Sequence, residues 1–343
     1  MMRLPLSWLL AFTTAALALL LLGSLATGPM TLTLGESLRA LFAGQESGIE
    51  SHKLLIVQEI RLPRTLLCIA VGGILGLCGA VMQGLFRNPL ADPGIIGVSG
   101  GAALGAALAI VLLAPLGQQL QATIGVGLLP LLAFLGGALT TTLVYLLGTR
   151  EGGTSVTVML LAGVAITALS GAVIGLLTYL ADDQMLRNLS LWQMGTLAAG
   201  KSADVALALL TLAALLWLFM RDANPLNALL LGEGEARHLG VNVQSLKRRL
   251  ILLTAAGVGV AVAVSGMIGF VGLVVPHLVR LLAGPNHVRL LPLSALLGAA
   301  LLLAADMLAR TLLAPAELPV GIITALLGAP FFIWLLVKGR RAL

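Results

Sequence analysis

Three arginines stand at the edges of long apolar runs, and their side chains are the best suited in this chain to bind a charged partner. Arg61 and Arg64 open a run that ends near Phe86, and Arg310 lies near the end of a later run. A guanidinium group is planar with several N–H donors, so it suits carboxylates. Arg61 and Arg64 share a face if the segment is helical, because they are three residues apart. Each arginine taken alone could instead extend its charged end to lipid head groups.

One carboxylate, that of Asp306, lies within an apolar run, four residues before Arg310. An ionisable group in such a position is a functional candidate by default. The spacing of four residues favours an ion pair with Arg310 that orients the arginine. The alternative is a site that couples to a proton or another ion.

The segment from Gly195 to Ser202 matches G-x-x-x-x-G-K-[ST], the pattern of a phosphate-binding P-loop. That loop works between a buried strand and a helix of a soluble α/β domain. Here an apolar run follows and no strand pattern precedes it. We therefore predict a short surface helix in this region and no nucleotide site.

Other reactive side chains are sparse. The four histidines show no metal-ligand spacing, and Cys68 and Cys78 lie ten residues apart in one apolar run, as packing residues do. No paired carboxylates, His-Glu-x-x-His or Ser/His arrangement lies within the apolar runs. We expect no metal site, no cofactor bound by this chain and no enzymatic centre.

The composition is that of a membrane protein. Of 343 residues, 59% are hydrophobic and only 10% are charged, with a mean hydropathy of +1.06. A soluble domain is typically about 25% charged. The net charge of +6 lies in short loops without interleaved aromatic residues, which excludes a nucleic-acid surface.

Ten apolar runs predict ten spans in one transmembrane unit, residues 1–343. They fall at 5–27, 64–86, 94–114, 124–147, 156–180, 203–220, 249–268, 270–283, 290–313 and 319–337. The run at 270–283 is short for a crossing and contains Pro276, which predicts a broken helix. Because Arg3 precedes the first run and small residues end it, a signal peptide is the alternative to a first span.

The distribution of Lys and Arg predicts the orientation. Ten spans put both termini on one side, which carries thirteen of the 20 Lys and Arg residues against seven on the other. Cytoplasmic loops are enriched in these residues, so we predict both termini in the cytoplasm. Arg61, Arg64 and Arg310 then map to the outer face. The longest cytoplasmic segment covers about residues 221–248.

Glycines recur at a spacing of four, which in apolar helices favours close backbone contact. The pairs are Gly72 and Gly76, Gly101 and Gly105, and Gly171 and Gly175.

Two blocks make the chain resemble a known family. The first, residues 61–105, combines the two arginines, a glycine-rich run and the loop Asn88-Pro-Leu-Ala-Asp-Pro-Gly94. The second, residues 269–336, contains Pro276-His277 with Arg280, then Asp306 to Arg310. The sequence resembles the FecCD-type permeases, membrane subunits of ATP-binding-cassette (ABC) importers for iron-siderophores, haem and vitamin B12. The resemblance implies an all-α polytopic fold of about ten helices, similar to the vitamin B12 permease, with a possible 5+5 inverted repeat.

The resemblance also implies partners and places for their contacts. It implies a homodimer in a bacterial inner membrane, two ATPase subunits that bind ATP and Mg²⁺, and a periplasmic binding protein. Arg61, Arg64 and Arg310 would receive carboxylates of the binding protein. The inner gate would comprise Asn88, Leu90, Ser155 and Thr157, and the helix contacting the ATPase would present Glu233, Glu235, Arg237, His238 and Gly240.

The cargo is the least determined part of this interpretation. The stretch from Ala181 to Gly195 is similar to that of haem-type members, so haem is expected, with a ferric siderophore or vitamin B12 as alternatives. An ion-coupled secondary transporter that uses Asp306 is the alternative of another class. It predicts transport without an ATPase, and loss of transport in Asp306→Asn.

Overall fold

The computed structural model describes residues 5–42, 50–114, 116, 127–150, 153–198 and 200–340. Arg3 and Arg341, which the charge count includes, lie outside the described residues.

The described chain is helical apart from one two-stranded hairpin. Its helices are α1 (Leu6–Ala26), α2 (Leu34–Phe42), α3 (Ser51–Leu85), α4 (Val98–Val111), α5 (Leu128–Gly148), α6 (Val156–Leu180), α7 (Asp183–Gln193), α8 (Ser202–Arg221), α9 (Ala223–Leu230), α10 (Glu233–His238), α11 (Val243–Ser265), α12 (Val271–Ala283), α13 (His287–Thr311) and α14 (Val320–Arg340). A 3₁₀ turn covers Pro93–Ile96, and strands β1 (Thr149–Arg150) and β2 (Gly153–Thr154) pair antiparallel between α5 and α6.

Each predicted span corresponds to one apolar helix. Among the described residues, seven helices are long and apolar enough to cross a membrane, and three shorter ones begin at Val98, Val271 and Val320. Helix α12 has 13 residues, and at 1.5 Å per residue it covers about 20 Å of the roughly 30 Å apolar layer. The helix is short for a full crossing, as expected, but the predicted break is not present, because one helix continues through Pro276.

Helix α3 is the centre of the bundle. In its apolar window 89% of the residues are buried, against 17% in α1 and in α6. It packs most extensively against α13 and also contacts α8, α11 and α12. Residues Ile56–Arg61 form a π-helical turn just before Pro63. Proline has no N–H for the helical ladder and its ring crowds the carbonyl four residues back, so a widened turn lets the helix continue through it.

Glycines permit the closest helix contacts. A Cβ atom added at Gly72 would lie 2.4 Å from the carbonyl oxygen of Gly298, and one at Gly298 would lie 2.3 Å from that of Gly72. Gly101 and Gly136 show the same reciprocal contact between α4 and α5. The close contacts predicted for the Gly72 and Gly101 pairs are thus confirmed. Gly171 and Gly175 have nothing within 4 Å in this single chain, so the contact predicted there is not present.

The bundle has two ends, which we name by their contents. The arginine end holds Arg61, Arg64 and Arg310, where α1 and α13 finish. The hairpin end holds the β1–β2 hairpin, α9 and α10.

Candidate functional site

At the arginine end, the side chain of Arg61, which lies in α3, binds the carbonyl groups at the end of α1. Its Nη1 donates to the carbonyl oxygens of Leu25 (2.7 Å) and Ala26 (2.9 Å), and its Nη2 donates to that of Met30. The last carbonyls of a helix have no partner within the helix, and a cation there also suits the helix dipole. Arg61 therefore acts as a cap for α1, and it is 4% exposed.

Arg64 links two carboxylates that are distant in sequence. Its Nε and Nη2 donate to Oδ1 of Asp306 at 3.0 and 2.9 Å, and its Nη1 donates to Oε2 of Glu317 at 2.7 Å. Asp306 is fully buried, whereas the side chain of Glu317 is one-third exposed. Every nitrogen of this guanidinium group is thus paired within the chain.

Arg310 completes the cluster. Its Nε lies 3.0 Å from Oδ2 of Asp306, which confirms the predicted ion pair over four residues, although the geometry is not that of a hydrogen bond. Its Nη2 donates to Oγ of Ser24 (2.8 Å) and its Nη1 to the carbonyl oxygen of Thr27 (3.1 Å). Asp306 therefore orients two arginines, and its hydrogen bonds go to Arg64.

The structure brings the three predicted arginines together, but not as free groups on the outer surface. They are between 2% and 6% exposed and contact carbonyls at the end of α1, Ser24, Asp306 and Glu317. Their burial was not predicted from the sequence. Their contact with a binding protein stays a prediction, and it requires one of these internal partners to move.

The predicted gate residues lie on two loops at the hairpin end. Asn88 is exposed and its Oδ1 accepts a hydrogen bond from the amide of Leu90 at 2.9 Å. Ser155 caps the start of α6 directly after the hairpin, and Thr157 is exposed two residues further on, within α6. Their closing role stays a prediction.

In helix α10 one residue forms an ion pair within the chain, and several others are exposed. The carboxylate of Glu233 lies 2.6 Å from Nζ of Lys247, and the Glu233 side chain is about one-third exposed. The predicted contact residues Glu235, Arg237, His238 and Gly240 are exposed, as is Leu239. A short helix with an open apolar residue is suited to a docked partner.

A cavity of about 440 Å³ lies between the helices on the side of α3 that faces α11 and α14. Its lining is mainly apolar and includes Leu75, Met194, Met267 and Gly321, with Asp92 and Gln193 among its polar groups. Oδ1 of Asp92 accepts from the amide of Gly94 at 2.7 Å, which caps the 3₁₀ turn. This volume lies within the range of small-molecule sites.

The P-loop match does not have P-loop surroundings. Helix α7, not a strand, precedes it, and Asp204 accepts a hydrogen bond from the backbone amide of Lys201 where α8 begins. The short helix predicted for this segment is not present in its described residues; α7 ends at Gln193 and α8 begins at Ser202. Cys68 and Cys78 are both fully buried, as expected of packing residues. Within the described ranges no three His, Cys, Asp or Glu side chains are grouped as metal ligands.

Sequence reasoning did not single out Glu317, Ser24 or Lys247. Glu317 is an acidic residue in a short loop on the arginine side, and this position could have indicated a partner for the arginines. Ser24 and Lys247 carried no such signal, because Ser24 meets Arg310 across 286 residues and Lys247 meets Thr154 across 93.

Known proteins resemble this chain in sequence and in structure over nearly its whole length. The chain is 47% identical over 336 residues to the hemin transport system permease protein HmuU of Yersinia pestis, covering 97% of this chain and 96% of that protein. It is 44% identical over 297 residues to the cobalamin import system permease protein BtuC of Halobacterium salinarum, covering 87% and 77%. A solved inward-facing structure of a metal-chelate-type ABC transporter superposes with a TM-score of 0.82 at 34% identity, covering 97% of this chain and 99% of that one.

The model of the FecCD transport family matches residues 16–338, nearly the whole chain. The predicted resemblance and the all-helical fold are confirmed. This multi-pass membrane protein is a transport component without a catalytic domain, and it belongs to the FecCD transport family as the permease of an ABC importer.

Proposed function

We propose that this chain forms the membrane path of a haem importer in a bacterial inner membrane. It works as a homodimer with two ATPase subunits, which bind ATP and Mg²⁺, and with a periplasmic binding protein. The observation that carries the proposal is the 47% identity to a hemin permease over 97% of the chain.

In this proposal the hairpin end and both termini face the cytoplasm, and the arginine end faces the periplasm. The excess of Lys and Arg on the hairpin side supports this orientation. ATP binding and hydrolysis in the partners move α10, and the path then opens to one side or the other. Ligands that favour one state shift such an equilibrium.

Cobalamin is the second candidate cargo, because relatives at 40–44% identity carry vitamin B12 or cobalamin in their names. An ion-coupled mechanism through Asp306 receives less support. That carboxylate is fully buried, and its two oxygens already lie against Arg64 and Arg310.

The test is reconstitution of the full assembly in proteoliposomes. We expect haem-loaded binding protein to stimulate ATP hydrolysis and to drive haem uptake, with cobalamin as the competing cargo in a parallel sample. Omitting the ATPase is the control and should abolish uptake. Uptake that continues without the ATPase and follows a proton gradient would refute the importer. Uptake of cobalamin but not haem would refute the assignment of haem as cargo and leave the importer proposal in place.

We further propose that a binding-protein carboxylate replaces Glu317 on Arg64 during docking. Glu317 is the only partly exposed partner of that arginine among the described residues, while Asp306 is inaccessible. Reversing the charge of Arg61 or Arg64 would be a poor test, because it would place a carboxylate against Asp306 or against the α1 carbonyls.

Glu317→Gln is the sharper test of docking. The variant removes the internal competitor, so we expect the binding protein to dock about two- to fivefold more tightly, the size of an exposed ion pair. The measurement is the dissociation constant for the binding protein on nanodisc-embedded assembly, at low and high salt. Weaker docking would show that Glu317 itself contacts the binding protein and would contradict the replacement.

A further inference from the structure

Lys247 joins two segments of the hairpin end that are far apart in sequence. Its ammonium group donates to the carbonyl oxygen of Thr154 at 3.0 Å and to the carboxylate of Glu233 at 2.6 Å. The residue is 2% exposed. Glu233 is the first residue of α10, and Thr154 is the last residue of the hairpin.

A second contact attaches the same hairpin to the same helix. The side-chain oxygen of Gln244 accepts a hydrogen bond from the amide of Thr154 at 3.1 Å. Lys247 and Gln244 lie three residues apart in α11 and so share a face. Thr154 is therefore held through both its N–H and its C=O.

The position of Thr154 sets where α6 begins. The hairpin pairs Thr149 with Thr154, and the amide of Ser155 donates to the carbonyl oxygen of Gly148 at 2.8 Å. Ser155 then caps α6. A displacement of Thr154 thus changes the start of α6, where Ser155 and Thr157 lie.

The link resists breaking because the ammonium group of Lys247 is buried, although the side chain of Glu233 is about one-third exposed. Separation from Glu233 would leave that buried ammonium group without its carboxylate partner, which costs more than loss of a fully exposed pair. Motion of α10 is therefore more easily transmitted to Thr154 than absorbed by separation of Lys247 from Glu233.

We propose that Lys247 is the positioning residue that transmits the movement of α10 to the hairpin and to the start of α6. The proposal rests on the proposed function, in which α10 contacts the ATPase. It adds a named intrachain connection that couples ATP hydrolysis to opening of the path.

The experiment uses the complete importer in proteoliposomes with haem-loaded binding protein, and measures haem imported per ATP hydrolysed. We expect Lys247→Met and Glu233→Gln each to continue hydrolysis while the ratio falls about tenfold, within the usual range of coupling between sites. The double variant should import as much haem per ATP as Lys247→Met alone, because both changes break the same link.

A second readout follows the gate directly. A cysteine placed at Thr157, in a chain whose Cys68 and Cys78 are replaced by alanine, is labelled with a membrane-impermeant maleimide with and without ATP. We expect ATP to change the labelling rate in the wild-type background and to leave it unchanged with Lys247→Met. A purely stabilising role for Lys247 would lower the yield but keep the ATP response.

Arg249→Met is the matched control. Arg249 lies two residues further along α11, and its Nε donates to Asp222 at 2.8 Å, so the variant loses an ion pair to the end of α8. We expect its coupling ratio to stay at the wild-type value. If Lys247→Met does not assemble, Glu233→Gln decides, because it leaves the Thr154 contact in place. Wild-type coupling in Glu233→Gln or Lys247→Met overturns the inference, whereas an inactive wild-type assembly refutes the proposed function instead.

Discussion

Asp306→Asn is expected to lower the free energy of unfolding by about 3–5 kcal/mol, the usual effect of removing one partner of a buried ion pair. The carboxylate is fully buried between Arg64 and Arg310. Without its charge, the two guanidinium groups repel each other, and Glu317 is the remaining acidic partner of Arg64 in the described part of the chain. The measurement is thermal unfolding in detergent with a thiol-reactive dye, since Cys68 and Cys78 react only when the bundle opens.

Glu317→Gln provides the matched comparison. It removes the other carboxylate from the same arginine, but that side chain is one-third exposed. Arg64 keeps its hydrogen bonds to Asp306 in this variant. A pair with an exposed partner contributes about 0–1 kcal/mol, so we expect little change in the unfolding midpoint. Equal destabilisation by both variants would contradict the distinction between the buried and the exposed partner.

The same Asp306→Asn variant separates two functional classes. If Asp306 were an ion-coupling site, the variant would fold normally and lose transport. The structure predicts instead that the variant folds poorly, so that the amount of folded protein and the transport fall together. A stable Asp306→Asn protein without uptake would favour the ion-coupled alternative.

Gly298→Leu is expected to prevent normal assembly of the bundle. A Cβ atom at this position would lie 2.3 Å from the carbonyl oxygen of Gly72, and backbone cannot move aside as a flexible side chain can. Overpacking typically costs about 1–3 kcal/mol and sometimes more, and here α3 and α13 form the most extensive helix pair. Folded yield after membrane extraction and the unfolding midpoint measure the effect.

Gly35→Ala is the control for glycine replacement. Gly35 lies in α2 with nothing within 4 Å of an added Cβ. Alanine favours a helix over glycine by roughly 0.5–1 kcal/mol, so we expect an unchanged or slightly higher midpoint. Normal yield from Gly298→Leu would contradict the close contact between α3 and α13.

The arginine cluster shows where prediction from sequence reached its limit. The spacing of Asp306 and Arg310 predicted their ion pair, because two residues four apart in a helix are always neighbours. Arg64 and Asp306 are 242 residues apart, and Arg64 and Glu317 are 253 apart. Local spacing has no information on such pairs, so the burial of the three arginines could not be predicted from it.

Glu233 makes the same point at the other end. The resemblance placed it with the ATPase contacts of α10, but its carboxylate is turned to Lys247. Its neighbours Glu235 and Arg237 are exposed as predicted. Whether a helix residue faces a partner or its own chain depends on what packs against each face.

The sequence alone determined the helical fold, the positions of the spans and the family. In a bilayer every backbone polar group must be paired internally, so a long apolar run is constrained to be a helix whatever lies around it. Only the tertiary structure decided which charges meet. The Arg64 pairing with Asp306 and Glu317, and the Lys247 link between α10 and the hairpin, depend on helices brought together by glycine contacts such as that of Gly72 with Gly298.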